Sequence, residues 1–189
     1  MSDAGAIWQQ NIQELSELLP RLRALEDHVK RFGQAMMDCW AAGGKVMFAG
    51  NGGSAADAMH FAEELIVRFK KNRRALAAIA LCDPTVLSCA ANDLGYDEVF
   101  ARQVEGLGKA GDVLVVMSTS GNSQNLVRAV EAAKQRKMLS VSMLGQDGGK
   151  LRGICDIELL VPTGIAQHVQ EGHKLIYHSL CQWVDTQVD

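Results

Sequence analysis

Neither sign of charge dominates this chain. Its 189 residues carry 19 lysines and arginines against 22 aspartates and glutamates, a net charge of −3. Proteins devoted to nucleic acid or to anionic membrane surfaces usually show a basic excess, so neither is expected as the main partner. There is no run of about 18 or more apolar residues, which argues against a spanning helix. The N-terminus has no charged-then-apolar signal segment. Low-complexity tracts and internal repeats are also absent. The 5 cysteines, Cys39, Cys82, Cys89, Cys155 and Cys181, include no CxxC pair. They read as free, reduced, mostly buried thiols, which suits a soluble cytoplasmic protein.

Apolar residues make up 48% of the sequence and charged ones 22%, the balance of a globular domain. The length fits a single domain with a substantial core. One short basic cluster stands out: Arg68, Lys70, Lys71, Arg73 and Arg74. It reads as a solvated loop face, with an anionic substrate or a partner subunit as the alternatives.

Residues 5–43 place apolar side chains at three- and four-residue steps, the spacing of helix. Pro20 divides or kinks this segment, and Gly43 and Gly44 end it. The rhythm then changes. Short apolar runs at 45–50, 76–81, 112–118, 139–145 and 156–162 read as buried strands. Amphipathic stretches at 53–69, 84–92, 97–108, 122–136 and 167–186 read as helices. Alternating strands and helices imply parallel βαβ units. Strands without polar alternation imply a sheet covered on both faces. The expected architecture is a three-layer α/β/α sandwich with a five-stranded parallel sheet and added N-terminal helices. Ligands in such sheets bind beyond the carboxyl ends of the strands.

Two strand-to-helix bends lie there: "GNGGS" at 50–54 and "STSGNS" at 118–123. Glycine lets backbone N–H groups approach a ligand closely, and a helix N-terminus presents free donors and partial positive charge. Ser118, Thr119, Ser120 and Ser123 add hydroxyls. The second bend has no lysine, so it is not a Walker loop, and neither bend matches GxGxxG. Serine and asparagine also serve as ordinary helix caps. Four hydroxyls in six residues at the ligand edge favour a phosphate site for the second bend, with the first supporting a sugar chain.

The helix after "GNGGS" carries His60 and Glu64 at i, i+4, on one face. That spacing suits two ligands of one metal or an acid/base pair, and equally a bland surface pair. Glu63 points about 100° away around the helix. The C-terminal helix carries Gln170, His173 and His178. Gln170 and His178 are two turns apart and can line one cleft.

The stretches "GNGGSAADAMHFAEEL", "ANDLGYDEVFARQVEGLGKAGDVL", "STSGNS" and "VQEGHKLIYH" together resemble the phosphoheptose isomerases of the sugar isomerase (SIS) fold. The resemblance runs from about residue 40 to the end, more loosely before it. It implies a single SIS domain over 1–189, with segment 1–43 packing on the core and on neighbouring subunits. It implies a homotetramer with active sites between subunits, acting on sedoheptulose 7-phosphate for heptose and lipopolysaccharide synthesis. By motif, His60, Glu64, Gln170 and His178 match a zinc site, one Zn2+ per subunit. Glu64 and His178 match the catalytic pair, and Ser118, Thr119, Ser120 and Ser123 match the phosphate cradle. Asn51, Gly52, Gly53, Asn92 and Asp93 match sugar-contacting positions, with Glu64 and Gln170 also facing substrate. Two positions depart from the pattern: Ala75 where relatives carry proline, and His168 where they carry a basic residue. A related branch of the fold binds a replication initiator without catalysis. Retention of His60, Glu64 and His178 together favours the enzyme.

Overall fold

A computed structural model describes residues 3–189. The N-terminal segment forms α1 (Ala4–Leu18) and α2 (Glu26–Ala41), joined by a 3₁₀ stretch that holds Pro20 near its start. The apolar runs become β1 (Val46–Gly50), β2 (Ala78–Ala80), β3 (Val113–Ser118), β4 (Leu139–Leu144) and β5 (Ile157–Leu160). Helix α3 (Gly53–Ile66) joins β1 to β2. Helices α4 (Pro84–Asp93) and α5 (Ala101–Leu107) lead to β3, and α6 (Gln124–Gln135) leads to β4. Helix α7 (Ala166–Gln187) closes the chain.

Every strand pairs in parallel, in the order β2-β1-β3-β4-β5. The chain therefore leaves β1 toward one edge and resumes at β3 on the other side. A crevice opens beyond the carboxyl ends of β1 and β3, at this reversal. All six residues of β3 are buried, which explains the missing polar alternation. Val113, Val115 and Met117 meet Phe32, Phe61, Tyr177 and Leu180 from α2, α3 and α7 on one face. Leu114 and Val116 meet Phe100, Val104, Leu126 and Val130 on the other. These are the three expected layers. The second strand is shorter than the apolar run 76–81, because it lies at the sheet's edge with Ile79 exposed.

The helix expected over 53–69 stops at Ile66, and the reason is Arg73. Arg68, Lys70, Lys71 and Arg74 are exposed, as a solvated face requires, but Arg73 is buried. Its guanidinium donates to the carbonyls of Glu64 and Leu65, both at 2.8 Å, and so satisfies the end of α3. Its Nε donates to Asp185 Oδ1 of α7 at 3.1 Å. Asp185 Oδ2 also accepts the N–H groups of Lys70 and Lys71 at 2.7 and 2.9 Å. Burial raises the Asp185 pKa, but those N–H donors and the guanidinium outweigh it and hold the carboxyl below its usual range.

Arg73→Met should leave a buried carboxylate without its partner and cost about 3–5 kcal/mol in urea unfolding. The depressed pKa of Asp185 means its contribution is present above the ordinary carboxylate range and lost as pH falls through the folded value. The gap between wild type and variant should therefore narrow below about pH 4.

Candidate functional site

Both bends lie at the crevice. In the first, Gly52 adopts φ 55°, which favours glycine, and Gly50 runs so close to Ser54 that a Cβ would lie 2.5 Å from its carbonyl oxygen. In the second, Gly121 has φ 66°, and a Cβ there would collide with the Gly148 carbonyl. The β4–β5 loop thus braces the second bend, through Leu151 N–H to Gly121 O at 3.0 Å and Lys150 N–H to Asn122 Oδ1 at 3.2 Å. The capping alternative for Ser123 is not what forms: its side chain makes no cap to α6, and Gly52 gives none to α3. By contrast, Asp3 and Asp83 cap α1 and α4. Ser118 Oγ accepts the Gly121 N–H at 3.0 Å, and Ser120 Oγ accepts that of Asn122 at 3.3 Å. Two helix starts and a row of hydroxyls consequently face one edge, an arrangement suited to an anion.

A pair of amides ties the bends together. Asn51 and Asn125 each donate to the other's Oδ1 at 3.0 Å, and the Tyr96 hydroxyl donates to Asn51 Oδ1 at 3.0 Å. Asn125 and Tyr96 went unnoticed in sequence; no spacing links them to Asn51. Asn92 and Asp93 are exposed at the end of α4, where the Asn92 amide donates to Asp93 Oδ1 at 2.7 Å.

Helices α3 and α7 pack side by side and run in the same direction. Gly53 lies against Gln170, Asp57 pairs with Lys174, and His60 meets Tyr177, each partner 117 positions further on. This register assembles the polar cluster. Donor atoms of His60, Glu64 and His178 all lie within 4.8 Å of one another. His60 Nε2 is 3.2 Å from Glu64 Oε1, close to the roughly 3.3 Å edge of a tetrahedron with zinc–ligand bonds near 2.0 Å. The residues present therefore fit a divalent metal. Burial first, and then the neighbouring His60, hold His178 below the ordinary imidazole range. Glu63 is 3.8 Å from the same His60 nitrogen, but its side chain is 55% exposed against 15% for Glu64.

Gln170 stands apart from that cluster within the chain. Its amide lies at the first bend, where a Cβ on Gly53 would come 2.3 Å from Nε2, two turns of α3 before His60. His173 does not line the cleft. It is fully buried, 3.3 Å from the Leu144 carbonyl, because its face of α7 packs on the sheet. Burial pushes its pKa down to about 4. His168 is buried between two carboxylates, Glu171 at 2.6 Å and Glu14 at 2.9 Å. The Glu171 hydrogen bond raises its pKa against the effect of burial. With its protonated form favoured, this imidazole stands where the resemblance leads one to expect a basic residue, and its two contacts tie α1 to α7.

A family model described as the SIS domain matches residues 10–145. A phosphoheptose isomerase of Paramagnetospirillum magneticum is 45% identical over 98% of this chain and 97% of its own length. The solved phosphoheptose isomerase of Neisseria gonorrhoeae superposes with a TM-score of 0.92 at 38% identity, covering 97% of this chain and 100% of that one. The one from Francisella tularensis superposes with a TM-score of 0.94 at 34% identity, covering 98% and 100%.

Two substitutions separate site from scaffold. Gly53→Ala should leave thermal stability unchanged or raised, since alanine favours a helical first turn, while displacing the Gln170 amide and weakening ligand binding at the bend. His173→Leu should flatten the acid limb of the stability curve. As pH falls from about 6.5 toward 4 the unfolded chain takes up a proton at this imidazole while the buried one stays neutral, a loss of order 3 kcal/mol that the variant escapes. Urea melts across that range test His173→Leu, and thermal melts with titration of a sugar phosphate test Gly53→Ala.

Proposed function

The chain belongs to the SIS-domain family, alongside its phosphoheptose isomerases, and from that footing we propose that it interconverts sedoheptulose 7-phosphate and D-glycero-D-manno-heptose 7-phosphate. The observation that carries the chemistry is the convergence of Glu64 and His178 from two helices. Moving a carbonyl from C2 to C1 requires a base that takes the C1 proton and returns it to C2. It also requires a group that moves a proton between the two oxygens of the enediol. Glu64 serves as the carbon base, with Oε1 toward His60 and Oε2 left to substrate. His178, held below the usual imidazole range, moves the oxygen proton.

The phosphate sits at Ser118, Thr119, Ser120 and Ser123, against the uncapped start of α6. Gly52, Gly53, Gln170 and Asn51 border the sugar chain, with Asn92 and Asp93 at its outer edge. Seven residues of α3 separate Gly53 from His60, a rise of about 10 Å, which an extended heptose phosphate matches. A Zn2+ held by His60, Glu64 and His178 would supply Lewis-acid polarisation of the substrate carbonyl. Two histidines and one carboxylate form a donor set of the catalytic kind, which keeps a position open. Gln170, lying at the bend, is assigned to sugar hydroxyls before metal.

The same reading includes a homotetramer with sites between subunits. Its support is apolar surface: Ile7, Trp8 and Ile12 on α1, and Met59, Ile66 and Val67 on or beside α3, are all exposed. Among the described residues no helix is long and apolar enough to cross a membrane. The reading also includes a cytoplasmic location, which the free thiols suit, and a role in supplying heptose for lipopolysaccharide, which the likeness to phosphoheptose isomerases supports.

Glu64→Gln should lower turnover of sedoheptulose 7-phosphate by about 10²- to 10⁴-fold. In D2O the wild type should place deuterium at C2 of the aldose, seen by NMR. A folded wild type that forms no aldose, with or without added Zn2+, would falsify the assignment.

A further inference from the structure

His60 has two ring nitrogens, and only Nε2 faces Glu64. Its Nδ1 lies 3.1 Å from the hydroxyl of Tyr177. That hydroxyl is also near Asp57 Oδ1, at a longer 3.4 Å, and Asp57 Oδ1 in turn pairs with Lys174 at 3.2 Å. Both Tyr177 and Asp57 are buried. The tyrosine ring is itself immobilised: it stacks on Phe61 at 5.1 Å and meets His60 and His178 edge-on at 5.5 and 4.6 Å. One side chain thus touches both histidines of the cluster.

We propose that Tyr177 is a positioning residue, whose hydroxyl, braced by Asp57, holds the His60 ring by Nδ1 so that Nε2 is presented to Glu64 and His178. This rests on the reading of His60 as a metal ligand. With a metal on Nε2, donor counting sets the direction of the bonds: a carboxylate only accepts, so the Tyr177 proton goes to Asp57 and the phenol oxygen accepts from His60 Nδ1–H. Without the metal, the Glu64 carboxylate 3.2 Å from Nε2 holds the ring proton there, and Nδ1 accepts from the Tyr177 hydroxyl instead. A ring nitrogen held by an outer hydrogen bond while the other faces a metal position is the usual way such ligands are oriented. The Lys174 ammonium donates to the same Asp57 oxygen, so the buried carboxylate is paired while it faces the phenol.

The test is Tyr177→Phe, which retains the ring contacts and deletes only the hydroxyl, with Asp57→Asn as a second variant. Nitrogen NMR of the metal-free protein, at alkaline pH where imidazoles are neutral, follows the His60 ring nitrogens, assigned by their absence in His60→Gln. In the wild type the Nδ1 resonance should lie upfield, as for an imine nitrogen accepting a hydrogen bond, and Tyr177→Phe should move it downfield toward the unbonded value. Chelator competition should show zinc bound about 10- to 100-fold more weakly by the variant. An unchanged His60 Nδ1 resonance in Tyr177→Phe overturns the proposal, whatever zinc does. If the wild type itself binds no zinc, the metal reading falls, and the Nδ1 resonance still decides the role of Tyr177.

Discussion

The register between α3 and α7 is the constraint from which the site follows. Two parallel helices on one face of the sheet are matched along their length, from Gly53 against Gln170 to His60 against Tyr177. A shift of one residue would rotate α7 by about 100° and carry His178 away from Glu64. The register is set at several heights. Phe61 stacks on Tyr177 in the core, Asp57 pairs with Lys174, and Arg73 bridges the last carbonyls of α3 to Asp185. The Arg73 contact is made to the carbonyl of Glu64 itself. The backbone that presents the proposed base is therefore held by the same buried ion pair that ends its helix.

A second constraint acts at right angles to the first. The strand order reverses between β1 and β3, so the bends after those strands are neighbours in space though Ser118 lies 68 positions after Gly50. Glycines let each bend turn tightly, and the Asn51–Asn125 amide pair joins them. That pair occupies polar groups that would otherwise compete for a ligand. What remains free at the edge is hydroxyl and helix-start N–H, chemistry suited to phosphate. In the proposed reading the bends and the helix register divide the work: the start of α6 meets the anion, the start of α3 meets the sugar, and two turns further on α3 meets the reacting carbons.

The layer architecture was legible in the sequence because burial on both faces leaves a direct trace, unbroken apolar runs such as "DVLVVMS". His60 and Glu64 were legible as a pair because a helix repeats locally. Their meeting with His178 was not derivable from spacing, since 114 positions separate it from Glu64 and only the topology brings the helices together. The resemblance supplied that link. His173 could not be placed for the same reason: without knowing which face of α7 meets the sheet, a core histidine and a cleft histidine look alike. Arg73 was unreadable within its basic cluster, because its partner Asp185 lies 112 positions away. Tyr177 was hidden by its type, since a tyrosine beside "LI" reads as core, and it is core in every atom but its hydroxyl.

That hydroxyl shows how packing and chemistry are joined here. A positioning group is effective only if its own rotamer is fixed. A surface hydrogen-bond partner for His60 would have to be ordered at a cost in side-chain entropy. Tyr177 is already immobilised by the core it helps to fill, so its phenol oxygen is directed at His60 without further ordering. Phenylalanine would satisfy the core equally well. The tyrosine is therefore better explained by the histidine beside it than by the packing around it, and the hydrophobic layer between helices and sheet acts also as the frame that aims the polar cluster.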